Sequence, residues 1–141
     1  MNQFLLLFLL IISFASCKKD EITLPAVATT PITTDLASAK TIASGNFISG
    51  VHTTSGTASW LNTSTKQVLY LKQFKTDAGP DLKVYLSKDL AGSSFISLGD
   101  LKAASGDQEY DIPATANKSE YKYVLIWCQR FSVLFGSANI N

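Results

Sequence analysis

The fold is decided by the stretch QVLYLKQFKTDAGPDLKVYLS, residues 67–87. Its first half alternates with a period of two, so that Leu69 and Leu71 fall on one face and Tyr70 and Phe74 on the other. The second half, LKVYLS, alternates in the same way. The central DAGPD combines glycine, proline and aspartate, which are typical of turns. The stretch therefore predicts two β-strands joined by a turn.

Similar turn-rich breaks recur about every ten residues on both sides of this stretch. They are SGVHTTSG, NTSTK, AGSS, ASGD and PATANKS. A helical turn or two is expected only in DLASAKTIAS, residues 35–44, because no segment shows a sustained apolar stripe of helical period. The sequence predicts an all-β domain over residues 45–141, an antiparallel β-sandwich or small barrel of about 7–9 short strands.

One hydrophobic core is expected in this domain. The segment Tyr123–Trp127 is apolar on both faces, which predicts a central strand covered on both sides. The residues expected in the core are Phe47, Trp60, Leu69, Leu71, Leu82, Val84, Leu86, Phe95, Leu98, Ile112, Val124, Ile126, Phe131, Val133 and Phe135.

The N-terminal residues 1–16 are expected to be a signal peptide. Their apolar run FLLLFLLII is shorter than the roughly 20 residues that a spanning helix needs, but it has the length of a signal-peptide hydrophobic region. The following FASC, which ends at Cys17, resembles the lipobox of bacterial lipoproteins, in which the cysteine carries lipid such as palmitate. An ordinary cleavable signal with an unmodified Cys17 is the alternative.

Residues 17–44 are expected to form a lipid-anchored tether. The segment is rich in Thr, Ala and Pro and offers little to bury. Its first residues, CKKDE, resemble export signals of bacterial surface lipoproteins, with a solvated charge cluster beside the membrane as the alternative. The expected location is the bacterial cell envelope, with a lipid anchor in the outer membrane and surface exposure if CKKDE is such a signal.

Charge and motifs exclude several classes of function. A net charge of +1 and a pI near 7.7 provide no basic field, so no nucleic-acid partner is expected. No arrangement typical of hydrolases or nucleotide-binding proteins is present, so a stand-alone catalyst is not favoured. Asp107, Glu109 and Asp111 fall on one side of a predicted strand, where they would bind calcium or form a solvated face.

The two cysteines raise the question of chemistry. If Cys17 carries lipid, Cys128 has no disulfide partner within the chain, and an unpaired thiol in an exported protein suggests a function. A buried cysteine that packs as a small hydrophobe is the alternative. No metal is expected, because blue copper needs two histidines and the chain has only His52. On a strand, Arg130 would lie about 6.5 Å from Cys128 on the same face and stabilise a thiolate, unless it is a solvated edge residue.

Four separated motifs occur in order and resemble the DM-thirteen domain, also called the electron-transfer DM domain. They are FISGVHTTSGTA, the GPDL turn, LGDLK leading to YDIP, and the WC pair near the end, and the resemblance covers about residues 45–141. The resemblance implies a redox role for Cys128, as a free thiol or as a ligand to a prosthetic group such as haem. Trp127, His52 and Asp81 also fall on motif positions of the family.

Two of these residues have simpler explanations. Asp81 is typical of a turn, in which Gly79 and Pro80 set the geometry. His52 is expected as a local hydrogen-bond partner, although it would also be the natural proton partner of a reactive Cys128.

Two functions remain open. The first is a cell-envelope lipoprotein that carries out electron transfer or thiol redox chemistry centred on Cys128, with a redox protein as partner. The alternative is a lipid-anchored binding or adhesion module for a protein or glycan, with Cys128 packed in the core. Exposed aromatic side chains would favour the second function, the candidates being Tyr70, Tyr85, Tyr121 and Trp60.

Overall fold

The computed structural model describes residues 34–141. One helical turn, α1 (Thr34–Ala37), precedes eight β-strands. The strands are β1 (Lys40–Ser49), β2 (Thr54–Asn62), β3 (Gln67–Thr76), β4 (Leu82–Ser87), β5 (Phe95–Asp100), β6 (Ser105–Ile112), β7 (Tyr123–Cys128) and β8 (Val133–Asn139). The predicted all-β fold is confirmed.

The strands form one antiparallel sheet in the order β5-β4-β7-β8-β1-β2-β3-β6. The sheet curls into a nearly closed barrel, in which the edge strands β5 and β6 approach each other without a strand pairing between them among the described residues. Strand β7 lies between β4 and β8, as its sequence predicts. Its inner face joins the core, and on its outer face Leu125 is fully buried beside Gly92 of the β4–β5 loop.

Antiparallel pairing makes the connections alternate between the two ends of the barrel. One end carries the loops 50–53, 77–81, 101–104 and 129–132. We call it the Cys128 end, because β7 ends there at Cys128. Strand β1 begins at Lys40 at the opposite end, which we call the Lys40 end.

The domain begins earlier than the sequence indicates. Residues 40–44 belong to β1 rather than to the tether, and the helix expected in residues 35–44 is limited to the turn α1. The reason is that β1 pairs with β2 from Lys40 onward, and the side chain of Ala43 is buried in the core. The signal peptide, Cys17 and the first part of the tether lie outside the described residues. Within residues 34–141 no helix is long and apolar enough to cross a membrane.

Most of the predicted core residues are buried inside the barrel. Those confirmed are Phe47, Trp60, Leu69, Leu71, Leu82, Val84, Leu86, Ile112, Val124, Ile126 and Phe135. Leu98 and Val133 are partly buried and pack against this core.

Two predicted core residues are wrong, since Phe95 is 44% exposed and Phe131 is 65% exposed. Phe131 lies in the turn after β7, where the alternation of the strand no longer applies. Phe95 stacks on Tyr85 instead, with 4.0 Å between their ring centroids. Tyr85 is buried, although the pattern of β4 placed it on the face opposite the core.

Strand β3 contains a β-bulge that the period-two pattern does not reveal. Leu71 pairs with Gln108 but Phe74 pairs with Gly106, so β3 has one extra residue between these pairs. Gln73, within the bulge, has a φ of 49°. The bulge turns Phe74 onto the face of Leu71, and Phe74 is buried in the core rather than on the opposite face.

Candidate functional site

Cys128 is the last residue of β7, and its side chain is fully buried within the hydrophobic core. Its cross-strand partners are Leu82 on β4 and Val133 on β8. The thiol is free in the part of the chain that the structure describes. The structure therefore places the sulfur among apolar side chains, at the last strand position before the Cys128 end.

Trp127 points away from Cys128, because successive strand residues face opposite sides of the sheet. It is half-buried on the outer face of the barrel, opposite Lys83 on β4. Its ring lies beside Gly92, where an added Cβ would be 3.7 Å from the indole. The Trp-Cys pair thus contributes one residue to the outer surface and one to the core.

Arg130 does not share a strand face with Cys128. Strand β7 ends at Cys128, and residues 129–132 form a turn in which the Ser132 amide donates to the Gln129 carbonyl oxygen at 3.4 Å. Arg130 is exposed in this turn. The strand geometry that would have brought its guanidinium close to the thiol is absent.

His52 lies in the loop 50–53 and is held by two contacts. Its Nδ1 is 3.3 Å from the Asp77 Oδ2 atom, which also accepts a hydrogen bond from the Thr53 amide at 3.2 Å. Its ring stacks on Phe135, with 3.9 Å between ring centroids and 25° between the ring planes. The local hydrogen-bonding role predicted for His52 is thus present in the structure.

Asp81 ends the loop 77–81 and has two roles. Its carboxylate is 2.9 Å from Lys83 Nζ, and its carbonyl oxygen accepts a hydrogen bond from the Gln129 amide at 2.9 Å. The backbone bond joins the loop 77–81 to the turn 129–132. Lys83 also pairs with the carboxylate of Asp100. The hydrogen bond from Lys83 to Asp100 and, to a lesser extent, the one to Asp81 raise the pKa of the lysine above its ordinary value.

A cleft of about 310 Å³ opens at the Cys128 end, between the loops 77–81 and 101–104. It is lined by Ala78, Gly79, Pro80, Asp81, Leu82, Asp100, Leu101 and Ala104. Leu82, one of the lining residues, is the cross-strand partner of Cys128. Gly79 packs so closely that an added Cβ would come within 2.8 Å of the side chains of Leu82 and Phe135.

The structure therefore brings four of the predicted site residues to one end of the barrel. They are Cys128 in the core, Asp81 at the cleft, His52 stacked on Phe135 and Arg130 exposed in the turn 129–132. Sequence reasoning missed Lys83 and Asp100. The two-residue spacing of Asp81 and Lys83 is visible in the sequence, but Asp100 reaches them only through the pairing of β4 with β5.

The acidic residues of β6 are engaged by neighbouring strands. Asp107 accepts hydrogen bonds from the Tyr70 hydroxyl at 2.6 Å and the Gln73 amide at 2.7 Å. Burial of Tyr70 and, to a lesser extent, its interaction with Asp107 raise the pKa of Tyr70 to about 12. Asp111 pairs with Lys66 at 2.6 Å. These contacts favour the solvated-face interpretation of the acidic row over a calcium site.

The described residues do not fit a haem bound through Cys128. The side chain of Cys128 has no exposed surface from which the sulfur could bind iron. The cleft is at the small end of the roughly 300–1,000 Å³ range of ligand pockets. No buried polar side-chain atom within residues 34–141 lacks a hydrogen-bond partner, and no three metal-binding side chains cluster there.

The fold and the site define a small all-β module, a nearly closed barrel with the Cys128 thiol buried beneath one end. A family model described as Electron transfer DM13 matches residues 46–140, and the chain belongs to this family. No curated protein and no solved structure gave a significant match to the chain.

Proposed function

We propose that this protein is a lipid-anchored lipoprotein of the bacterial cell envelope whose domain takes part in electron transfer or thiol redox chemistry, with a redox protein as partner. Membership of a family described by electron transfer supports the redox role. The observation that carries the proposal is the position of Cys128, a free thiol whose cross-strand partner Leu82 lines the cleft. The lipobox-like FASC supports the anchor at Cys17.

Burial of the sulfur favours one kind of redox chemistry over the other. Thiol–disulfide exchange requires a thiolate to reach a disulfide sulfur, and reactive cysteines are partly exposed. Cys128 is fully buried, so exchange would require the turn 129–132 to open. We therefore favour electron transfer at the packed Cys128 end, in which the Cys128 thiol would give one electron to a one-electron acceptor of the partner outside the barrel and its proton to solvent.

The aromatic residues that an adhesion module for a glycan or protein would need at its surface are not exposed. Trp60 and Tyr85 are buried, and Tyr70 and Tyr121 are half-buried. Exposed apolar side chains toward the Cys128 end include Ile48, Val51 and Phe131 instead. Their position at the same end as the cleft suits the docking of a redox partner there.

The chain enters the domain at the Lys40 end. A fully extended chain from Cys17 to Lys40 spans at most about 80 Å, at roughly 3.3–3.6 Å per residue. In an anchored protein the attachment point is at the end of the barrel opposite Cys128. This arrangement leaves the Cys128 end free for a partner.

The test uses the full chain purified in detergent from membranes of its host. Intact mass is expected to show acyl chains on Cys17, and voltammetry is expected to show a reversible redox signal. Cys128→Ala is expected to abolish this signal, whereas Val133→Ala, a core truncation on the neighbouring strand, is expected to retain it. Absence of a signal in the natural protein, or its persistence in Cys128→Ala, would contradict the redox role.

A further inference from the structure

We infer that the cleft at the Cys128 end is a docking pocket for a lysine or arginine side chain of the redox partner. The inference rests on the proposed function and deepens it, because it specifies the chemistry of the partner's contact residue. It is carried by the polarity of the lining, by the charge around Lys83 and by the exposed apolar residues at the same end of the barrel.

The side chains that line the cleft can accept hydrogen bonds, but none of them can donate one. Its walls combine polar surface with apolar side chains, among them Pro80, Leu82 and Leu101. The polar side chains that line it are the carboxylates of Asp81 and Asp100, and ionised carboxylates act only as acceptors. A group that fits this cleft therefore has an apolar body and a polar end that donates hydrogen bonds.

The charges at the cleft leave room for one more cation. Lys83 contacts both Asp81 and Asp100, so one ammonium group faces two carboxylates. Lys83 is held between them from the outer face of β4 and is not among the residues that line the cleft. The side chains of Asp81 and Asp100 are 32% and 81% exposed, so both remain accessible to an incoming positive group.

The size of the cleft suits one side chain rather than a cofactor. At about 310 Å³ it is at the lower limit of the roughly 300–1,000 Å³ typical of ligand pockets. Lysine and arginine combine an apolar stem with a cationic head, and such side chains place the stem along apolar surface. The apolar side chains and the two carboxylates that line the cleft match these two parts.

Exposed apolar residues at the Cys128 end favour a protein as the source of this side chain. Phe131 is exposed in the turn 129–132, which is joined to Asp81 by the Gln129 hydrogen bond. Val51 is exposed in the loop 50–53 at the same end. A protein surface can cover these residues while it inserts a basic side chain, whereas a free amine would leave them in water.

The experiment follows amide signals of the isotope-labelled full chain in detergent by NMR. The probes are the peptide Ala-Leu-Lys-Leu-Ala, the same peptide with acetyl-lysine, and n-butylamine. The lysine peptide is expected to shift the amides of Gly79, Asp81 and Leu101, and its affinity is expected to fall as salt is raised. The acetyl-lysine peptide is expected to bind at least about threefold more weakly, as loss of a surface charge pair predicts.

Variants assign the binding to the two carboxylates. Asp81→Asn combined with Asp100→Asn is expected to weaken the lysine peptide about three- to tenfold. Asp111→Asn, which removes a carboxylate from the outer face of β6, serves as the matched control and is expected to bind normally. Thermal unfolding of each variant shows whether it is folded, so that lost binding can be told from lost folding. A folded double variant that binds the lysine peptide normally overturns the inference.

The remaining outcomes distinguish this inference from the function on which it rests. Equal shifts with the acetyl-lysine peptide overturn the cationic pocket. Binding of n-butylamine as tight as that of the peptide overturns a protein as the occupant. A voltammetric signal from Cys128 without peptide binding overturns the inference alone. Peptide binding without any redox signal overturns the proposed function and the redox character of the partner.

Discussion

The imidazole of His52 stacks on the buried ring of Phe135, with 3.9 Å between the two ring centroids. Phe135 in turn packs closely against Gly79, which lines the cleft. The stack therefore connects the loop 50–53 to the wall of the cleft. The Asp77 Oδ2 atom lies 3.3 Å from His52 Nδ1. The two loops 50–53 and 77–81 of the Cys128 end are thus fixed relative to each other around one aromatic residue of β8.

The first prediction concerns this stack. His52→Ala is expected to lower the free energy of unfolding by about 0.5–1.5 kcal/mol, because it removes a stacked ring pair. Urea denaturation measures the change, and a double-mutant cycle with Phe135→Leu isolates the coupling. Val51→Ala, at an exposed neighbouring position, is the control and should change stability by less than about 0.5 kcal/mol. Additive effects of the His52 and Phe135 changes would contradict a stabilising stack.

The second prediction separates two phenylalanines that the sequence placed in the same core. Phe135 is buried, so Phe135→Ala is expected to cost about 3–5 kcal/mol of stability. Phe131 is 65% exposed, so Phe131→Ala is expected to change stability by less than about 0.5 kcal/mol. Chemical denaturation of both variants provides the comparison. Similar losses from the two truncations would be inconsistent with the exposed turn position of Phe131.

The third prediction concerns access to the thiol. Because Cys128 is fully buried, iodoacetamide is expected to modify it in urea but not in the native protein, as mass spectrometry of its peptide would show. Cys128→Ser is expected to be less stable than Cys128→Ala by about 1–3 kcal/mol, since a hydroxyl without a partner would be buried. Rapid alkylation of the native protein would contradict the burial of the sulfur.

The fourth prediction is a pH dependence that arises at the bulge of β3. The hydrogen bond from the Tyr70 hydroxyl and, to a lesser extent, the one from the Gln73 amide lower the pKa of Asp107. The carboxylate therefore stabilises the fold above its unfolded pKa of about 3.9, and this stabilisation is lost as the pH falls through the lower folded pKa.

Asp107→Asn is accordingly expected to reduce stability at neutral pH by about 1 kcal/mol, a modest value because the group is exposed. It is also expected to reduce the loss of stability on acidification, which urea denaturation at pH 7 and pH 3 would measure. Asp111→Asn is the matched control, since it removes an acidic residue from the same face but does not bond to the bulge. Equal acid sensitivity of natural and Asp107→Asn proteins would refute the assignment.

The sequence predicted the strands well because their alternation and turns are local features. The central position of β7 was also evident, since a strand that is apolar on both faces must be covered on both. The errors occurred where local pattern and tertiary structure diverge. An extra residue near Gln73 reversed the facing of Phe74, and the early end of β7 left Phe131 in a turn.

The site was less predictable because its contacts join residues that are distant in the chain. The four motifs identified the family and drew attention to Cys128, His52 and Asp81. Neither the burial of the thiol nor the pairing of Lys83 with Asp100 follows from spacing along one strand. Both depend on which strands become neighbours, and this information is set by the closure of the whole sheet.

The neighbouring positions of β5 and β6 have a consequence for the way in which copies of the domain meet. The unpaired backbone groups of an edge strand can recruit a strand from another molecule and start aggregation. Here the two edges approach each other, and the short connection 101–104 ties them together at the Cys128 end. Near this connection each edge therefore limits the access of a foreign strand to the other edge.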